Sequence, residues 1–166
     1  MLMNIEQFNQ LSPSEAKSVI EGCVAIAGWQ QQLVAARPFL SLQQAMATAR
    51  RLTEGWGESE LCLALSAHPR IGETAAGSMS HHTASRAEQS AVLSAGSQIK
   101  QLMTAGNRAY EQRFGRIFLI RAKGRSPQEI LTQLQRRLGN NEVAERQESL
   151  RQLREITLLR LQEILL

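Results

Sequence analysis

Apolar residues recur along this chain at a spacing of three to four, separated by short polar stretches that carry glycine or proline, which is helical periodicity. Ser12-Pro13-Ser14-Glu15 combines an N-cap serine, a proline at the first helical position and a glutamate three residues after the cap. The helix it opens is expected to continue through Ile20 and Val24 to Ala27, where Gly28 interrupts it. Trp29 to Ala36 reads as a short helix ended by Pro38, and Ser41 opens a longer one that closes at Gly55-Trp56-Gly57. Glu58 to Ala67 makes a compact apolar helix stopped by Pro69, and Gly72 to about Thr83 is small and polar, a loop.

Ser85 to about Phe114 reads as one long helix or a broken pair, with Val92, Leu93, Ile99, Leu102 and Met103 inward and Gly96 and Gly106 weakening it locally. Ser126-Pro127-Gln128-Glu129 repeats the first start signal, and its helix runs to Gly139. Asn140 or Asn141 then caps a final helix, Glu142 to Leu165. The one strand-like segment, Ile117 to Ile120, has no evident pairing partner. The pattern predicts an all-α fold, a single-domain helical bundle (1–166) with several short and two long helices.

Composition narrows the chemistry. All 15 acidic residues are glutamate, so any site that needs aspartate, such as a Ser-His-Asp triad or an EF-hand loop, is excluded. Of 19 basic residues all but Lys17, Lys100 and Lys123 are arginine, and the net charge is +4. That balance supports a rival reading, a basic helical module that binds nucleic acid or a protein partner without catalysis. The arginines are scattered among glutamates rather than clustered, and one tyrosine with two tryptophans is a poor stacking platform, so no nucleic-acid partner is expected. Cys23 and Cys62 stand in apolar runs at no metal spacing and read as small buried hydrophobes in a reducing compartment. Met1 to Leu11 has no signal-peptide pattern and no apolar run suits a membrane span, so a cytoplasmic protein without a membrane partner is expected.

Three positions are candidates for chemistry. Pro69 disfavours a helical conformation at His68, so the imidazole is expected beside a helix C-terminus, whose dipole favours the protonated ring. The bland alternative is a surface or capping histidine. Ser85-x-x-Glu88-Gln89 is either a capping box or the first turn of a helix facing a cleft, where the helix N-terminus favours an anion. Projected at ~100° per residue, Arg160 falls between Leu153 and Ile156 inside the apolar arc of the last helix, with Arg154 at the other side of that arc. A guanidinium so placed needs a carboxylate or a ligand anion, or else it snorkels at a helix or subunit seam. His81-His82 are adjacent rather than i, i+4 and read as a solvated pair. Asn107 to Gly115 reads as core packing ended by a C-cap glycine.

In order, His68-Pro69-Arg70-Ile71-Gly72, Ser85-x-x-Glu88-Gln89, Asn107-x-x-Tyr110-x-x-Arg113-Phe114-Gly115-x-x-Phe118, Glu129-Ile130-Leu131 and Leu159-Arg160-Leu161 form a set that resembles the OHCU decarboxylase family. The family name stands for 2-oxo-4-hydroxy-4-carboxy-5-ureidoimidazoline decarboxylase, which completes the route from urate to (S)-allantoin. The resemblance implies an all-helical homodimer acting on a small-molecule substrate with no cofactor and no metal. By position it implies that His68 and Glu88 are catalytic, and that Pro69, Ser85, Gln89, the backbone near Ile120 and Arg160 line the substrate pocket.

Overall fold

The computed structural model describes residues 2–71, 88 and 96–166. Among them every regular element longer than a single bridge is an α-helix: α1 (Ile5–Gln10), α2 (Pro13–Ile20), α3 (Ala27–Ala35), α4 (Leu42–Thr53), α5 (Glu58–Leu65), α6 (Ser97–Phe114), α7 (Pro127–Arg137) and α8 (Glu142–Ile164). The two long helices are α6, with 18 residues, and α8, with 23. The segment Ile117 to Ile120 has no regular secondary structure and joins no sheet among the described residues. The expected loop 72–83, the Ser85 start signal and the inward positions Val92 and Leu93 lie outside the described residues, as do His81 and His82.

Helix starts follow the local hydrogen-bonding chemistry. Ser12 accepts from the Glu15 amide while Glu15 accepts from the Ser12 amide, a reciprocal cap that satisfies two otherwise orphaned donors. The Ser41 and Ser126 hydroxyls cap α4 and α7 in the same position. Asn141 rather than Asn140 caps α8, accepting from the Ala144 amide at 2.8 Å. Gly96, expected as a weak point inside a helix, is the N-cap of α6.

Three local expectations are corrected. The helix opened by Ser12 stops at Ile20 rather than running to Ala27, and Gly28 lies inside α3 instead of separating two helices. Residues 21–26 instead bring Cys23, Val24 and Ile26 into the core, and the buried Gln30 amide donates to the Val24 carbonyl at 2.8 Å. An additional helix, α1, is capped by Asn4 and Gln7 reciprocally. Cys62 is exposed, not buried, because α5 turns Leu61, Ala64 and Leu65 inward and leaves Cys62 and Leu63 outside that buried stripe. Cys23 is buried, and neither cysteine is in a disulfide.

The chain forms two compact units, one of Met1–Ala64 with Arg154–Leu166 and one of Leu65–Leu153. In the first, Phe8, Ile20, Trp29, Leu33, Ala49, Leu61 and Leu161 are almost fully buried. Polar contacts tie its pieces: Trp29 Nε1 donates to the Ala49 carbonyl, and Arg37 Nη1 donates to the carbonyls of Phe8 and Leu11. The Met3 amide bonds the Ile164 carbonyl and the Leu166 amide bonds the Met3 carbonyl, which pins the end of α8.

In the second unit, Ile71, Met103, Tyr110, Phe118, Ile120, Ala122, Ile130, Leu131 and Leu134 make one apolar cluster. Gly106 lets α7 approach α6 closely, since a Cβ there would stand 2.6 Å from a Leu134 methyl. At the end of α6, Gly115 adopts φ 71°, a left-handed C-cap whose amide bonds the Glu111 carbonyl at 2.9 Å. A Cβ at Gly115 would touch nothing within 4 Å, so the cost of Gly115→Ala is conformational alone. Thermal or urea denaturation of Gly115→Ala is expected to show a loss of about 1–2 kcal/mol. Gly115→Asn should lose less, because asparagine tolerates this conformation.

Candidate functional site

α5 ends at Leu65, and the His68 amide bonds back to the Leu65 carbonyl at 3.2 Å. His68 therefore stands just past a helix C-terminus, where the proline that follows it was expected to leave it. The imidazole is half-buried and its Nε2 is sealed from solvent. Pro69 is half-buried beside it, Arg70 is exposed and Ile71 is buried in the apolar cluster.

α6 holds this segment. The Asn107 amide donates from Nδ2 to the Ile71 carbonyl at 2.9 Å. Four residues on, Glu111 receives Arg70 through two parallel hydrogen bonds of 2.8 Å each, the side-on fork that suits a guanidinium and a carboxylate.

Ile120 is buried in the same cluster as Ile71, and the peptide groups on either side of it are pinned. Arg137 Nη1 donates to the Leu119 carbonyl at 2.7 Å, and the Arg121 amide donates to Gln152 Oε1 at 2.9 Å. Ile71, three residues after His68, thus packs in the same apolar cluster as Ile120. Glu88, in the same unit, is helical and half-buried. Ser85 and Gln89 lie outside the described residues.

Arg160 belongs to the other unit and is 4% exposed. Its place on the apolar face of α8, beside buried Leu153, Ile156 and Leu161, is the one the helical projection predicts. Nη1 donates to the Gly22 carbonyl at 3.1 Å. Arg154 is half-buried on that helix and donates to the Thr53 carbonyl at 3.2 Å.

One polar group escaped the sequence reading. Arg137 and Glu145 are buried together, with Arg137 Nε within 3.0 Å of both carboxylate oxygens. Tyr110 donates its hydroxyl to Glu145, Asn140 adds a further donor at 3.1 Å, and Ser149 bonds both members of the pair. Burial first, and then the hydrogen bond to Glu145, push the Tyr110 phenol up to about 12, so it remains a protonated donor. A signal was present: Arg137 follows Ile130 and Leu134 at helical spacing, the same pattern that marks Arg160.

Other arginines are similarly engaged. Arg136 pairs with Glu148, whose carboxyl is lowered to about 2 by that hydrogen bond foremost, and Arg116 pairs with Glu142 at 2.8 Å. Among the described residues no group of three histidine, cysteine or glutamate side chains is placed to hold a metal ion. Among those residues no helix is long and apolar enough to cross a membrane.

A sequence profile of OHCU decarboxylases matches residues 9–162. The chain belongs to the OHCU decarboxylase family. A 2-oxo-4-hydroxy-4-carboxy-5-ureidoimidazoline decarboxylase from Amia calva is 30% identical over 173 residues, covering 98% of this chain and 95% of that protein. The uric acid degradation bifunctional protein TTL of Arabidopsis thaliana is 31% identical over 151 residues, covering 86% of this chain and 45% of its own length. The chain spans less than half the length of the bifunctional relatives it matches. A crystal structure of OHCU decarboxylase in the presence of (S)-allantoin superposes with a TM-score of 0.72 at 28% identity, covering 86% of this chain and 94% of that one. The all-helical architecture expected from the apolar periodicity is the architecture of this decarboxylase family.

Proposed function

We propose that this chain decarboxylates 2-oxo-4-hydroxy-4-carboxy-5-ureidoimidazoline to (S)-allantoin and CO2 in urate degradation, without a cofactor, as a cytoplasmic homodimer. The observation that carries the reading is the family match over residues 9–162, which includes each of the segments that bear the proposed site. His68 and Glu88 are the acid–base pair in this reading. Pro69, Ser85, Gln89, the backbone at Ile120 and Arg160 hold the substrate.

The chemistry suits that set. The carboxylate to be lost sits on a carbon that also bears a hydroxyl and adjoins a C=N bond. As the C–C bond to CO2 breaks, its electron pair moves into the ring, forms a carbon–carbon double bond and places charge on the former imine nitrogen, which takes a proton. The substrate therefore carries its own electron sink, and the work a cofactor does in other decarboxylases is already supplied. What remains for the protein is to orient the carboxylate, to take the hydroxyl proton as the carbonyl forms, and to deliver a proton to one face of the adjacent carbon.

A histidine suits proton transfer because its ordinary pKa lies near neutrality. A half-buried position past the end of α5 limits the directions from which the ring is reached. Glu88 supplies a carboxylate to hold the substrate hydroxyl or to set the histidine tautomer. Arg160 supplies a guanidinium for an anionic or carbonyl group of the substrate.

The test is turnover by the purified chain, followed by circular dichroism of the product, with Glu88→Gln as the informative variant. Optically active allantoin is expected from the parent. Glu88→Gln should lower turnover by ~10²-fold or more while its melting curve stays nearly unchanged. Parental turnover in Glu88→Gln would return Glu88 to a purely structural role, and a parent that leaves the optical purity of the product at background would reject the decarboxylase reading.

A further inference from the structure

We propose that Asn107 and Glu111, one helical turn apart on α6, are positioning residues for His68. The inference rests on the reading of His68 as an acid–base group and adds how the fold holds it in place. Residues four apart on a helix share a face, and this pair grips two successive residues of one short segment. Asn107 Nδ2 holds the Ile71 carbonyl at 2.9 Å, and Glu111 holds the Arg70 guanidinium through two bonds of 2.8 Å. Upstream, the His68 amide is tied to the Leu65 carbonyl at 3.2 Å. His68 thus sits on a span anchored at both ends, with the fixed φ of Pro69 removing one of its few remaining torsions.

The state of Asn107 argues that its amide is there for this anchor. The side chain is 6% exposed on the same face of α6 as Met103 and Tyr110, deep in the apolar cluster. Its Oδ1 is buried and has no hydrogen-bond partner among the described residues. Burying an amide with one of its two polar ends unsatisfied is unfavourable, and an apolar side chain of similar volume would serve packing alone better. What the asparagine adds that leucine lacks is the bond to the Ile71 carbonyl. Glu111 lies nearer the surface, where an ion pair contributes little to stability, so its two-pronged grip on Arg70 is better suited to fixing geometry than to holding the fold. Proton transfer is sensitive to the placement of the donor, and a displacement of about 1 Å costs on the order of 10²-fold in rate.

The test compares the parent, Asn107→Ala, Glu111→Gln, Arg70→Gln, the Arg70→Gln/Glu111→Gln double variant and His68→Asn, all well below their melting temperatures. The readouts are kcat and KM separately and the enantiomeric excess of the allantoin formed. Asn107→Ala should lower kcat by ~10-fold or more with KM within about threefold, and its product should lose optical purity as unguided protonation competes. Each exposed-pair variant should lower kcat about threefold, and the double variant should be no worse than the poorer single one, because both remove one interaction.

A purely structural role would lower the melting temperature of Asn107→Ala and leave kcat, KM and optical purity as in the parent, and that outcome overturns the proposal. Should Asn107→Ala fail to fold, the surface pair decides: parental kcat and optical purity in both Arg70→Gln and Glu111→Gln overturn it equally. His68→Asn separates the two layers. If it matches the parent, the acid–base reading itself has failed and the positioning role falls with it. If His68→Asn is inactive while Asn107→Ala and Glu111→Gln are parental, only the positioning role is lost.

Discussion

The His68→Asn protein is expected to release essentially racemic allantoin at the background rate, while the parent releases the (S) enantiomer. The substrate loses CO2 unaided through its own imine sink, so its disappearance says little about the protein. Solution chemistry has no means of protonating one face of a planar intermediate in preference to the other, and a fixed donor does. Asparagine keeps a polar side chain of similar reach but carries no proton of suitable pKa. The backbone that holds residue 68, from the Leu65 carbonyl to the Ile71 carbonyl, is untouched by the substitution. Folding and ligand binding should therefore survive, with turnover reduced by ~10²-fold or more. Circular dichroism of the product over time, beside a titration of both proteins with (S)-allantoin, measures both halves of the expectation. Optically pure product formed by His68→Asn at the parental rate would remove His68 from the mechanism.

The largest effect on stability is expected at Arg137. Arg137→Met keeps the length of the side chain and deletes the charge, leaving Glu145, 0% exposed, without its guanidinium. Breaking one side of a buried, hydrogen-bonded ion pair typically costs about 3–5 kcal/mol, because the remaining carboxylate is neither hydrated nor paired. The same change frees the Leu119 carbonyl, so the loss is also expected to loosen the segment that carries Ile120. Replacing both partners, Arg137→Met with Glu145→Gln, should recover much of the stability, since it removes the orphaned charge along with its partner. Urea denaturation gives the comparison, provided the slope of free energy against denaturant is unchanged. A loss below ~1 kcal/mol for the single variant would show that Glu145 finds other compensation within its network.

How much of this was legible in the sequence divides along the range of the interactions. The caps at Ser12, Ser41 and Ser126, and the terminating Gly115, were readable because each joins groups three or four residues apart, and nothing distant needs to be known. The ordered motifs from His68 to Arg160 identified the family for a related reason: residue types at fixed spacing are a property of the chain itself. The burial of Arg160 followed from helical periodicity alone.

Other features depended on partners the chain cannot announce. α2 ends at Ile20 because the next six residues turn Cys23 and Val24 into a core, although the local pattern would have carried the helix further. α1 is too short for periodicity to show, and its neighbourhood is tied down by Arg37 and Phe39 from about 30 residues away. Cys62 faces outward because α5 buries the stripe of Leu61, Ala64 and Leu65 instead. The buried pair of Arg137 and Glu145, and the grip of Asn107 and Glu111 on residues 70 and 71, join groups that only the packed helices bring together. For Asn107 and Ile71 that separation is 36 residues, and for Arg70 and Glu111 it is 41. The sequence by itself determined where most helices begin, that the fold is all-α, and which family the chain belongs to, because those are set by hydrogen bonds and residue spacings along the chain itself. Only the tertiary structure decided which polar side chains are buried together and what holds His68 in place, because the energy of a buried charge or amide depends on neighbours contributed by other helices.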